Sequence, residues 1–175
     1  VTTIGGPTSQ TVSLSRYLIY DDPILDLTGA SDVMGSFNYD NNASYGFESG
    51  YLTSYSVNCA VGAIPQINTS LSVYDELRSG VNASGDAPQA IYVPSQGSIT
   101  ATCDNTTTNR VIGFDYALEV VRKPYYTIGS ETPIEVKYIP PIKYSASVQI
   151  EVDDVFLESG YSFLTTGKEA VSYTH

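Results

Sequence analysis

Residues 49–61 alternate in a period of two. Tyr51, Thr53, Tyr55, Val57, Cys59 and Val61 fall on one side of an extended chain, and Leu52, Ser54, Ser56, Asn58 and Ala60 fall on the other. Successive side chains of a strand point to opposite faces, so this period predicts a strand. The run stops at Gly62-Ala63-Ile64-Pro65 and resumes over 66–74 with Ile67, Thr69, Leu71 and Val73 in phase. Proline cannot donate to a ladder and glycine frees the backbone, so Gly62 and Pro65 mark a ribbon turn. A comparable order recurs downstream. Residues 110–122 set Ile112, Phe114, Tyr116, Leu118 and Val120 against Asp115, Ala117 and Glu119. Gly129 and Pro133 fall in the break over 125–133, and 134–138 reads as a short strand before Pro140-Pro141. Residues 143–153 then set Tyr144, Ala146, Val148, Ile150 and Val152 against Lys143, Ser145, Ser147, Gln149, Glu151 and Asp153.

Elsewhere the pattern is weaker. Residues 11–20 place Val12, Leu14, Leu18 and Tyr20 on one face, a strand; 90–94, 98–103 and 161–164 read as short strands and 104–109 as a turn. The sequence YDELR at 74–78, ended by Gly80, predicts a short helix. Residues 1–10 read as an arm and 166–175 as a tail. No period is sustained over 21–50, which leaves two readings. One is a long loop that lays Phe37, Tyr39, Tyr45 and Phe47 on a neighbouring molecule. The other is a strand pair over 35–50 that turns at Asp40-Asn41-Asn42.

Eight or nine strands with at most one or two short helices define an all-β sandwich or barrel, read as a single domain over 1–175. Several strands exceed the usual length of about 5–6 residues, so they are expected to extend into an oligomeric β-barrel. Composition agrees: 15 tyrosines, 5 phenylalanines and no tryptophan accompany a charged fraction of 15%, well under the usual value near 25%. The net charge of −11 argues against a grip on nucleic-acid phosphates and against docking on anionic membranes. A surface past which nucleic acid must slide would carry the same sign.

Catalytic chemistry has little to stand on. His175 is the only histidine and the last residue of the sequence, a poor place to hold a general base. One His and two Cys supply no zinc set. Asp40-Asn41-Asn42 with Glu48 fails the spacing of a calcium loop, because Tyr45 and Tyr51 occupy its glycine and final acid positions. Glu119 and Glu151 could pair for glycoside hydrolysis, but nothing sets their separation. The expectation is no enzyme, no cofactor and no metal. Cys59 and Cys103 read as buried free thiols, with a disulfide as the other option. Asn42, Asn68, Asn82 and Asn105 begin glycosylation sequons of the kind so Ser/Thr-rich a chain yields by chance.

The segment YLTSYSVNCAVGAIPQINTSLSV (51–73) resembles the strand, Val-Gly-x-x-Pro turn and strand of tail tube proteins from tailed bacteriophages, and IGSETPIEVKYIPPIKYSASVQIEV (128–152) is similar to their second ribbon. The likeness covers roughly half the chain. It implies a structural virion protein of the phage tail, assembled in the host cytoplasm, in which six subunits form a ring and rings stack into a tube. DNA passes through during ejection without specific binding. The implied partners are further copies of the chain, the tape measure, the terminator and the baseplate. On that expectation Ser54, Ser56 and Asn58, or Glu119, Glu151 and Asp153, face the lumen, and Phe37, Tyr39, Tyr45 and Phe47 reach a neighbour. The alternative is a non-tube β-sandwich binding module: an adhesin, a decoration protein or a baseplate component.

Overall fold

A computed structural model describes residues 8–18, 22–29, 32–40, 43–83, 99–103 and 106–151. Within them the elements run β1 (Gln10–Tyr17), a 3-10 helix (Pro23–Thr28), β2 (Val33–Asp40), β3 (Ala43–Ala60), β4 (Gln66–Val73), β5 (Arg78–Ser79), β6 (Ala101–Cys103), β7 (Thr106–Thr108), β8 (Val111–Tyr125) and β9 (Glu135–Ile150). The protein is all-β. One antiparallel sheet has the order β1-β4-β3-β8-β9, with β2 and β5 attached to β3, and β6 pairs with β7 apart from it.

The 18-residue β3 organises the sheet. Its first part pairs with β2 and β5, and its last part lies between β4 and β8. The changeover is at Gly50, which faces Val33 on one side and Val73 on the other. Just beyond it the register slips: Leu52 faces Leu71, yet Ser54 faces Ser70. A bulge sets two residues against one and shifts the alternation. Leu52 is therefore buried together with Tyr55, Val57 and Cys59, and the single face expected from Tyr51 to Val61 is broken at Thr53.

Of the two readings of 21–50, the strand pair is the one found. The β2–β3 hairpin brings Phe37 opposite Tyr45. Phe47 is turned into the chain's own core, where its ring fills the space beside Gly35 and Gly50, so it is not part of a surface offered to a neighbour. Gly46 has a different neighbour. A Cβ there would stand 2.9 Å from Ser36 Cα and closer still to the Gly35 carbonyl oxygen, both on the paired strand. Backbone cannot swing aside as a side chain can. Gly46→Ala is expected to cost about 3 kcal/mol by overpacking, whereas Gly29→Ala, with no atom near the new methyl group, changes little. Urea unfolding of the two variants checks this, read at the midpoint with the slope unchanged.

Two further expectations need correcting. Residues 74–78 are not helical; they lead into the two-residue strand β5. The helix is instead the 3-10 turn Pro23–Thr28, where the Asp22 side chain caps the first turn by accepting from Ile24 N (3.1 Å) and Pro23 starts the turn. A proline at that position forfeits no bond, because its N–H would have been unpaired anyway. The two strands read over 134–138 and 143–153 merge, within the described residues, into one strand, β9 (Glu135–Ile150). Glu119 faces Lys143 and Val121 faces Ile139, so β9 spends more residues there than β8, and Pro140-Pro141 occupy the irregularity.

The core gathers Val12, Leu52, Tyr55, Val57, Ile67, Leu71, Val73, Leu118 and Val120 on one side of the sheet, together with Phe47. Ile24 and Leu27 of the 3-10 helix pack onto this cluster and cover part of the apolar face.

Candidate functional site: a polar sheet face between two rims

The pairing registers assemble the polar residues of five strands into rows. Ser13, Ser70, Ser54, Glu119 and Lys143 form one row from β1 to β9. The next row is Ser15, Asn68, Ser56, Ala117 and Ser145, and the third is Tyr17, Gln66, Asn58, Asp115 and Ser147. Ser54, Ser56 and Asn58, one of the two alternative sets expected to face a lumen, thus share a face with Glu119 of the other set, on strands far apart in sequence. All members of these rows are exposed or half-buried. The side chains are short and mostly uncharged: the carboxylates of Asp115 and Glu119 and the ammonium of Lys143 are the charges in the three rows. Neighbouring strands are also stitched across the face. Asn58 Nδ2 donates to Asp115 Oδ1, Ser147 Oγ donates to Asp115 Oδ2 at 3.2 Å, and Ser15 Oγ donates to Asn68 Oδ1. Such cross-strand pairs fix register on a face that has no packing to do so. Glu151 is exposed just beyond β9, its N–H donating to the Arg110 carbonyl at 2.9 Å, and Asp153 lies outside the described residues.

The opposite face of the same strands is held by a buried carboxylate. The Asp22 side chain is 4% exposed and accepts from Arg16 Nη2, from Ile24 N at 3.1 Å and from the Tyr55 hydroxyl at 2.7 Å. Burial, reinforced by Asp22, pushes the Tyr55 phenol well above its ordinary value of 10.0; burial likewise raises Tyr74 and Tyr116. Unfolding frees these phenols to ionise near pH 10, while the folded state keeps them neutral. Their contribution to stability is therefore complete below that pH and falls as pH rises above it. Urea midpoints are expected to hold level up to about pH 9 and to drop beyond about pH 10. The share of phenolate absorbance that comes from these three rings should appear together with the loss of structure.

Both outer strands of the path are open among the described residues: β1 pairs with β4 alone and β9 with β8 alone. Natural sheets usually blunt such rims with charge, proline or a bulge. Here residues 10–15 of β1 and 144–150 of β9 contain no charged residue and no proline. Apolar surface also remains on β9, where Tyr144 is 60% exposed.

The other expected sites fall at the ends of the sheet. Gly62 (φ 78°) and Gly129 (φ 86°) both sit in the left-handed region that glycine reaches without steric cost. Pro65 is buried, and its carbonyl accepts from Leu18 N at 3.0 Å, tying the end of β1 to the ribbon turn. Pro133 is half-buried before Ile134, whose N–H closes the second hairpin onto the Tyr125 carbonyl at 2.9 Å. Phe37, Tyr39 and Tyr45 lie on the β2–β3 hairpin at 48, 76 and 44% exposure. Cys59 is buried and free, its thiol pushed up by burial, so it is in no disulfide with Cys103. Thr8, Gln10, Glu48, Asp75, Glu76, Arg78, Glu131 and Thr132 line an open cleft of about 550 Å³. No group of metal-ligating side chains occurs among the described residues.

The alternation did not reveal Arg122, whose guanidinium donates to the carbonyls of Leu52 and Leu27 (2.9 Å each) and Gly29 and lies over the Tyr51 ring at 5.8 Å. It bonds β3 beside the bulge, where that strand passes from β2 to β8. Asp22 was likewise missed, although Asp-Pro ahead of an apolar pair is a recognisable helix start.

No protein-family model matches the chain, and no curated protein matches it. Fold and face together define a class by structure alone: an all-β protein whose antiparallel sheet packs a core on one side and presents mainly hydroxyl and amide side chains on the other.

Proposed function

We propose that the chain is a structural subunit that joins copies of itself edge to edge into a ring, with the polar sheet face turned inward as the wall of a bore, in the manner of a phage tail tube. The observation that carries this reading is the pairing of two features in one sheet: a face of mostly small polar side chains, and a stretch free of charge and proline on each of its rims, residues 10–15 of β1 and 144–150 of β9. Rims without charge or proline invite pairing, and identical subunits related by rotation close into rings when that pairing repeats.

The chemistry suits conduction of DNA. Nothing in the three rows offers an array of Lys and Arg to hold phosphates, and the chain's net charge of −11 repels them. Short hydroxyl and amide side chains keep a water layer between wall and polymer. Rings stacked through the exposed hairpins would extend the bore into a tube, with other tail proteins at its ends. The test is electron microscopy of the concentrated, purified protein together with sedimentation velocity. Rings or tubes with a central hole are expected; a protein that stays monomeric at high concentration overturns the reading.

A further inference from the structure

We infer that copies of this chain meet through a parallel joint, with β9 of one molecule laid beside β1 of the next. The inference rests on the edge-to-edge reading above and adds the geometry of the joint. It follows from strand parity. Each neighbouring pair along β1-β4-β3-β8-β9 is antiparallel, and the path has an odd number of strands. The two rims therefore run in the same direction. Rotation about a ring axis, or a helical screw along it, leaves strand direction unchanged. The only joint such an operation can make between the two different rims is parallel. A two-fold axis would do otherwise: it would set β1 against β1, or β9 against β9, antiparallel.

A second copy fits as the occupant of each rim. The stretch of β9 that follows Pro140-Pro141 is free of proline, and β1 offers eight residues to match it. Laid side by side with faces kept in register, Ser145 and Ser147 continue into Ser13 and Ser15 of the next copy, so the hydroxyl surface crosses the joint without a seam. On the other face, that register brings the exposed Tyr144 ring beside the next copy's Val12, which belongs to that copy's own core. The joint thus covers the apolar surface that β9 leaves in water. Parallel ladders are slightly weaker per residue than antiparallel ones. Each joint is therefore expected to be reversible by itself and to be secured by ring closure.

Cysteine cross-linking tests the direction. Ser13→Cys and Ser145→Cys are made singly and together, each with Cys103→Ser, so that the remaining thiol is the buried Cys59. After treatment with a short bis-thiol reagent, a mixture of the two single variants is expected to give covalent dimers. Each single variant alone should give none, and the double variant should give a ladder that ends at the ring size. Self-linked dimers from either single variant overturn the parallel joint in favour of a two-fold one. Rings in the microscope with no cross-link in the mixture overturn the joint but leave the ring reading standing. Monomers with no cross-link overturn both.

Discussion

Asp22→Ala is expected to be among the most destabilising single substitutions in the sheet, at about 4 kcal/mol. The carboxylate is almost wholly buried and accepts from a guanidinium, a backbone N–H and a phenol. Removing it leaves all three donors without their acceptor, and breaking a buried charge pair typically costs about 3–5 kcal/mol. Native domains are stable by only about 5–15 kcal/mol, so the loss would be a large share of the total. For a chain of this size it corresponds to a fall in Tm of about 10 °C. Tyr55→Phe should cost less, about 1–2 kcal/mol, because Asp22 keeps two donors and no charge is stranded. The double variant separates the shares. If Tyr55 acts through Asp22, the two losses will fall short of additivity by about 1 kcal/mol or more. Additive losses would show that the hydrogen bond contributes little. Urea unfolding at neutral pH is the measurement.

Arg122→Met is expected to cost about 3 kcal/mol, for a different reason. The side chain satisfies the carbonyls of Leu27, Gly29 and Leu52, which lie on the 3-10 helix, just after it and on β3. Methionine keeps much of the length and apolar stem but leaves those acceptors unpaired. Lysine is the more telling substitution. It keeps the charge, yet one ammonium cannot span three carbonyls held apart by a planar fork, so Arg122→Lys should recover less than half of the loss. Burial lowers the Arg122 pKa from its ordinary value, and the cation still holds its proton through the physiological range. A full rescue by lysine would mean that charge over the Tyr51 ring is what counts. The expected result is instead a gap between the two variants, read as urea midpoints, with faster local hydrogen exchange around Leu52 in both.

The polar face was legible in advance because it depends only on alternation. Ser54, Ser56 and Asn58 occupy every second position of one run and Ser145 and Ser147 of another, and a period of two survives any arrangement of the strands. What the sequence did not show depends on contacts across long separations. The bulge at Thr53 lies where β3 passes from β2 to β8, and β8 is far along the chain. Phe47 looked like its neighbours Phe37 and Tyr45. What draws it inward is room beside Gly35 and Gly50, visible only once β2 is laid along β3. The residues YDELR have a helical composition, but a stretch so short has no nucleus of its own, and pairing of Arg78 with Gly46 drew it into the sheet edge. Arg122 read as the polar end of a strand. Its three acceptors come from segments that no local pattern connects.

The long span of β3 also governs how the molecule can be built. Its hairpin with β4 needs only the short turn at Gly62, so that unit can close early. The next partner is far along the chain: Ser54 must wait for Glu119, and Gln10 for Val73. Ordering so many distant segments makes for slow folding, on the scale of milliseconds to seconds. During synthesis, β3 and β4 emerge well before β8, and β9 emerges last of the five. One of the two surfaces through which copies would meet is therefore missing until β9 has been made. If copies join as proposed, nascent molecules crowded on one message would be kept from joining until their β9 strands have been made.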